Sequence, residues 1–129
     1  QKDEICPTHI LVSDEKTKSL VIGIRGTMSV TDALSDMQGT SFALDNIGLP
    51  DLSCHQGFYE CAMAVWSNVR ERVVKLLSEE RRQGWKIVCS GHSMGAGVSA
   101  ILTVILRQSL SLDAMVGTES DQDVAKAPI

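Results

Sequence analysis

The chain has 129 residues, enough for one domain with its own core. Its 16 acidic against 12 basic side chains give a net charge of −4, which argues against nucleic-acid binding. No apolar run approaches the ~20 residues needed to span a bilayer. No signal peptide is visible within the chain; its location is left open, with an intracellular or membrane-peripheral one favoured. The one cluster of bases, Arg70, Arg72, Lys75, Arg81 and Arg82, is mixed with acidic residues. The four cysteines, Cys6, Cys54, Cys61 and Cys89, match no zinc-ligand spacing and give no clear pairing signal, so neither metal nor other cofactor is implied.

Residues 9–12 read as a first strand and the doubly apolar run 20–25 as a second, central one. The polar link 13–19 is short enough to make them an antiparallel hairpin. Ser29-Val30-Thr31-Asp32 looks like a capping box opening a short helix to about Met37. A polar, irregular stretch follows over 38–53, either a functional loop or a plain connector. From 58 to 80, Phe58, Ala62, Val65, Val69, Val73, Leu76 and Leu77 recur at helical steps, and Gly84 is expected to end that helix. Residues 86–90 read as a strand parallel to 20–25, since a helix crosses between them. Cys89 is expected to be buried in it as a small apolar residue. A richly apolar helix is predicted over 97–110, and 111–127 reads as an acidic loop or tail.

Between that strand and that helix stands Gly91-His92-Ser93-Met94-Gly95. Strand, G-x-S-x-G and helix in this order resemble the nucleophile elbow of α/β-hydrolases. Glycine two positions to either side of the serine tolerates crowding and unusual dihedrals where a Cβ would collide. A helix N-terminus behind the serine presents N–H groups and a positive dipole end, which suit a developing oxyanion. The pattern therefore proposes the Ser93 hydroxyl as a nucleophile, against the plainer reading of a glycine-rich turn with a solvent-facing serine.

Three segments in order extend the resemblance over about residues 9–110. Arg25-Gly26-Thr27-Met28-Ser29, followed by Asp32-Ala33-Leu34-Ser35-Asp36, resembles the oxyanion and lid-start segment of class 3 lipases, especially their diacylglycerol lipase branch. Cys54-His55-Gln56-Gly57-Phe58 is similar to the H-x-G-F/M element that opens the next helix. Ser90 to Gly97 is similar to the family's G-H-S-L-G-A-G elbow. The resemblance implies a partial α/β-hydrolase fold, with a mostly parallel sheet flanked by helices. It implies Ser93 as nucleophile and the backbone N–H groups of Thr27 and Met94 as oxyanion donors. Arg25, Gly26, Gly91, His92 and Gly95 would support the motif, residues 28–53 would form a lid-like loop, and Asp32 and Asp36 would cap structure. The implied partners are a glycerolipid or other ester substrate, a peripheral lipid interface and the remainder of a catalytic domain.

A serine nucleophile needs a base, and an acid to orient that base. In this fold they follow in the order Ser, Asp or Glu, His. No histidine follows Ser93. His9 is read as an unremarkable edge-strand residue, His55 as structural, and His92 as packed or supporting the oxyanion side. Asp113, Asp121 and Asp123 come before any further clear strand, although 123–129 has the character of a strand start. The triad is thus expected to be completed outside this chain, and the isolated chain to be inactive. Three readings remain: a serine lipase on diacylglycerol or monoacylglycerol, a non-catalytic hydrolase-like domain binding lipid or protein, and another serine esterase or thioesterase. The Arg25-Gly26-Thr27 and His55-x-Gly57-Phe58 pair favours the first over the third.

Overall fold

The computed structural model describes residues 6–26 and 41–116, the last six as helical backbone alone. Strand β1 spans His9–Asp14 and β2 spans Ser19–Ile24; they pair antiparallel, with His9 opposite Ile24 and Asp14 opposite Ser19. Asp14 makes the turn. Its carboxylate accepts from the Lys16 and Thr17 amides and, at 2.6 Å, from the Thr17 hydroxyl, an Asx-type replacement for backbone pairing. Strand β5, Lys86–Gly91, pairs parallel with β2, so β2 is central and the sheet order is β1-β2-β5. Among the described residues this sheet has one antiparallel and one parallel pairing, so the part described is mixed.

The period of two along β2 decides where the core sits. Leu20, Ile22 and Ile24 are buried on the face that carries both helices, with Ile87 of β5 beside them. On the other face Ile10 lies opposite Gly23 and Val12 opposite Val21, and Ile10 is 61% exposed. Helix α1, Gln56–Leu77, buries Cys61, Ala62, Val65, Trp66, Val69, Val73 and Leu77 along one stripe. It ends at Leu77, where Ser78 donates its hydroxyl to the Lys75 carbonyl at 2.7 Å and competes with helix continuation. Gly84 therefore does not end this helix. A 3-10 turn, Glu80–Arg82, intervenes, and Gly84 at φ 77° turns the chain so that Trp85 is buried and β5 begins.

The stretch expected to be irregular carries two short strands where it is described, from residue 41 on. Strand β3, Ser41–Ala43, pairs antiparallel with β4, Ser53–His55, and Phe42 stacks on Tyr59 of α1 with centroids 4.4 Å apart. Cross-strand pairing and an aromatic anchor offset the polar composition that suggested a loop. The predicted capping box and short helix at 29–37 lie outside the described residues. Helix α2 runs Met94–Val116, so it starts three residues earlier than predicted and takes in the first six residues expected as tail. Val98, Leu102, Ile105, Leu106 and Leu110 bury its core stripe against the sheet and α1. The result is a partial α/β fold: a small mixed sheet carrying two packed helices.

Candidate functional site

Ser93 lies between the carboxyl end of β5 and the first turn of α2, with φ 56°. A non-glycine residue in this left-handed region costs about 1–2 kcal/mol, so the surrounding chain must hold it there. Three close backbone approaches do so. A Cβ on Gly91 would lie 2.3 Å from the carbonyl carbon and oxygen of Gly95. A Cβ on Gly95 would lie 2.3 Å from the carbonyl oxygen of Ile24 at the end of β2. A Cβ on Gly26 would lie 2.5 Å from the carbonyl oxygen of His92 and 3.5 Å from Cβ of Ser93. Glycine is required at each for lack of space, and together they bring the ends of β2 and β5 and the start of α2 into one knot.

Hydrogen bonds complete the turn. The Gly95 amide donates to the His92 carbonyl at 3.0 Å, and the Ala96 and Gly97 amides donate to the Ser93 carbonyl at 3.0 and 3.4 Å. Ser93 is exposed and Met94 is buried, so the serine faces outward while its neighbour anchors the helix start in the core. The Arg25 amide donates to the Thr8 carbonyl at 2.9 Å, and its side chain is exposed. Thr27, Asp32, Asp36, Asp121 and Asp123 lie outside the described residues, as do positions 28–40 of the lid-like segment. Asp113 falls on the last turns of α2.

The histidines are all away from a base's place. His55 caps α1: its Nδ1 accepts the Phe58 amide at 3.4 Å, and its ring lies 4.8 Å from that of Phe58. This is the structural role expected of it. His9 sits on the edge strand with Nδ1 2.7 Å from the Pro7 carbonyl oxygen. The His92 side chain is exposed rather than packed; its backbone carbonyl, not its imidazole, shapes the turn. Among the described residues no catalytic triad is assembled, and no group of three or more His, Cys, Asp or Glu side chains is placed to hold a metal.

Beside this knot an open cleft of about 350 Å³ runs along the side of β5, lined by Cys89, Ser90, Gly91, Ala96, Ser99, Ala100 and Thr103. Burial pushes the Cys89 thiol pKa up, against a smaller opposing effect of its hydrogen bond with Thr103. A neutral thiol there is a poor nucleophile. Cys89 is half-buried, less enclosed than its sequence suggested. Ser99 is 5% exposed and its hydroxyl has no hydrogen-bond partner among the described residues. Neither this cleft nor the close approach of Phe58 to Gly97 was anticipated. The small residues at 96, 97, 99 and 100 are the available signal, the first two assigned to the elbow motif and the last two to the helix that follows it.

A serine in the left-handed region, at the carboxyl end of a parallel strand pair and at the head of a helix, stands in a partial α/β fold consistent with a fragment of an α/β-hydrolase-like domain. Residues 21–122 match the family Lipase (class 3), and the chain belongs to that family. It is 32% identical over 99 residues to diacylglycerol lipase-beta of Mus musculus, covering 76% of this chain and 15% of that protein. It is 33% identical over 107 residues to diacylglycerol lipase-alpha of Homo sapiens, covering 78% of this chain and 10% of that protein. The chain thus spans a small part of the length of the curated relatives it matches. No solved structure matches it. Among the described residues no helix is long and apolar enough to cross a membrane.

Proposed function

We propose that this chain carries the nucleophile half of a serine hydrolase site that cleaves carboxylic esters of glycerolipids. The observation that carries the reading is the left-handed Ser93 between Gly91 and Gly95, neither of which has room for a side chain. The family membership and the names of the relatives support a diacylglycerol-lipase-like substrate.

In this mechanism Ser93 Oγ attacks the ester carbonyl carbon while a base takes its proton. The carbonyl electron pair moves onto oxygen, where the backbone N–H groups of Met94 and Thr27 receive it. Collapse of the tetrahedral intermediate expels the alcohol, protonated by the same base, and leaves an acyl group on Ser93. Water then adds to the acyl carbon and frees the fatty acid and the serine. Each oxyanion donor is worth about 2.7–4 kcal/mol where one has been removed elsewhere. Gly26 against His92 supports the Thr27 assignment, because it brings the Arg25-Gly26 segment to the turn. The base and acid come from polypeptide outside this chain, and residues 28–53 shield the acyl group at a lipid interface.

The test is ester hydrolysis by the complete protein with Ser93→Ala, together with covalent labelling by a fluorophosphonate. Loss of both hydrolysis and label in a folded variant is expected; full activity in that variant removes Ser93 from the chemistry. A second reading is a non-catalytic domain that binds lipid or protein; no catalytic triad is assembled among the described residues. Lipid binding by a complete protein that neither hydrolyses esters nor takes the label would select it.

A further inference from the structure

We propose that Phe58 is a positioning residue for the turn at Ser93, acting through Gly97 on the first turn of α2. Its consequence for catalysis rests on the reading of Ser93 and Met94 given above; the contact itself does not.

The first turn of α2 is gripped on two sides. On the sheet side Gly95 presses against the carbonyl of Ile24. On the other side Gly97 meets the ring of Phe58: a Cβ added there would lie 2.8 Å from Cε2, 3.0 Å from Cδ2 and 3.5 Å from Cζ. The aromatic ring occupies the place that a side chain would otherwise fill. It is itself held from behind, by the His55 ring at 4.8 Å and by the hydrogen bond from the Phe58 amide to His55 Nδ1. Phe58 and His55 belong to the start of α1, and Gly97 to the start of α2, so the two helix N-termini are locked by one ring.

The lock matters because the turn it closes is strained. The Gly97 and Ala96 amides bond back to the Ser93 carbonyl, and Gly95 to that of His92. A shift of Gly97 away from β2 pulls on those bonds and on the left-handed Ser93. Phe58 therefore keeps the helix head, and the N–H groups it presents, at a fixed distance from the serine. The contact is made by adjacent ring atoms, Cδ2 and Cε2, a rigid pair that the branched end of a leucine does not reproduce.

The experiment is amide hydrogen exchange on this chain, resolved by residue, with a paired double-mutant cycle. In Phe58→Ala the Gly95, Ala96 and Gly97 amides should exchange about tenfold faster while those of Leu20 to Ile24 keep their protection. Phe58→Tyr should restore protection at residues 95–97. If Phe58→Ala does not fold, Phe58→Leu replaces it and should show the same local pattern. Gly97→Ala should lower the denaturation midpoint in the parent chain and raise it beside Phe58→Ala, because alanine is the better helix former once the ring is gone. Uniform acceleration across the sheet and the turn, or the same effect of Gly97→Ala in both backgrounds, overturns the proposal and leaves Ser93 untouched. Conversely, an active Ser93→Ala protein would remove the nucleophile and leave the Phe58 contact standing.

Discussion

The carbonyl oxygen of Ile24 occupies the space that a side chain on Gly95 would need, 2.3 Å from where its Cβ would stand. This couples the end of the central strand to the head of α2, and the obstacle is backbone on both sides. Alanine in place of glycine inside a helix ordinarily stabilises by about 1 kcal/mol. At Gly95 the sign reverses. Overpacking costs about 1–3 kcal/mol and sometimes more, and a carbonyl that belongs to a sheet ladder has little room to retreat. Gly95→Ala should lower the urea midpoint and Gly95→Val should abolish soluble expression. A Gly95→Ala chain as stable as the parent would mean that β2 and α2 do not meet this closely.

Ser93 gives a prediction of opposite sign. The residue is held at φ 56°, a region that penalises every side chain with a Cβ. Ser93→Ala keeps that penalty and Ser93→Gly removes it, at about 1–2 kcal/mol. Glycine's extra freedom in the unfolded chain offsets roughly 0.5–1 kcal/mol of the gain. Ser93→Gly should therefore be more stable than Ser93→Ala by up to about 1.5 kcal/mol, while both abolish ester hydrolysis in the complete protein. Matched chemical denaturation curves decide it: a glycine variant weaker than the alanine one means the turn is unstrained. A site where glycine is the more stable of two inactive replacements is expected where backbone strain is held for function.

Much of this arrangement was legible in the residues. The alternation of Leu20, Ile22 and Ile24, the stripe from Ala62 to Leu77 and the glycines around Ser93 each carry a local physical signature, and each element formed. The boundaries moved where local competition was invisible in the pattern: Ser78 stopping α1 early, and the Met94 side chain drawing α2 back to the turn. The ribbon of β3 and β4 was missed because two three-residue strands, Ser-Phe-Ala and Ser-Cys-His, are too short to show a hydrophobic period; Phe42 on Tyr59 anchors it through a contact distant in sequence. The clash partners of Gly26, Gly95 and Gly97 are likewise tertiary. A sequence shows that glycine stands there, and only packing shows against what.

Thiol reactivity tests the burial of the core independently of the site. Cys6 is exposed, Cys54 and Cys89 are half-buried, Cys61 is 1% exposed and none is in a disulfide. Desolvation pushes the thiols of Cys54, Cys61 and Cys89 up, Cys61 with further help from Cys6 and Glu60. Since the thiolate is the reactive species, alkylation should reach Cys6 first and Cys61 last, with Cys61 modified only at the rate of unfolding. Timed alkylation followed by peptide mass analysis gives the order. Early modification of Cys61 in folded protein would contradict the packing of α1 on the sheet.

The last prediction concerns acid. Arg82 is 5% exposed, lies with its guanidinium carbon 5.2 Å from the Trp85 ring centroid, and pairs with Glu79. Arg81 donates to Glu79 at 2.9 Å and to Glu15 at 3.0 Å, which ties the β1–β2 hairpin to the link between α1 and β5. The hydrogen bond from Arg81, followed by the charges of Arg82 and Arg81, holds the Glu79 carboxyl below the usual glutamate range. The unfolded chain then takes up this proton at a higher pH than the folded one. The contribution is complete above the ordinary glutamate pKa and disappears as pH falls through the lower folded value. Glu79→Gln should thus be less stable than the parent at neutral pH, with the gap closing in acid. Asp14, lowered chiefly by the Thr17 hydroxyl, titrates in the same direction, so Asp14→Asn serves as the matched control. Denaturation midpoints across the acid limb, at low and high salt, measure it. A gap that persists unchanged at the acid end would mean that Glu79 acts through packing rather than through its charge on the buried guanidinium.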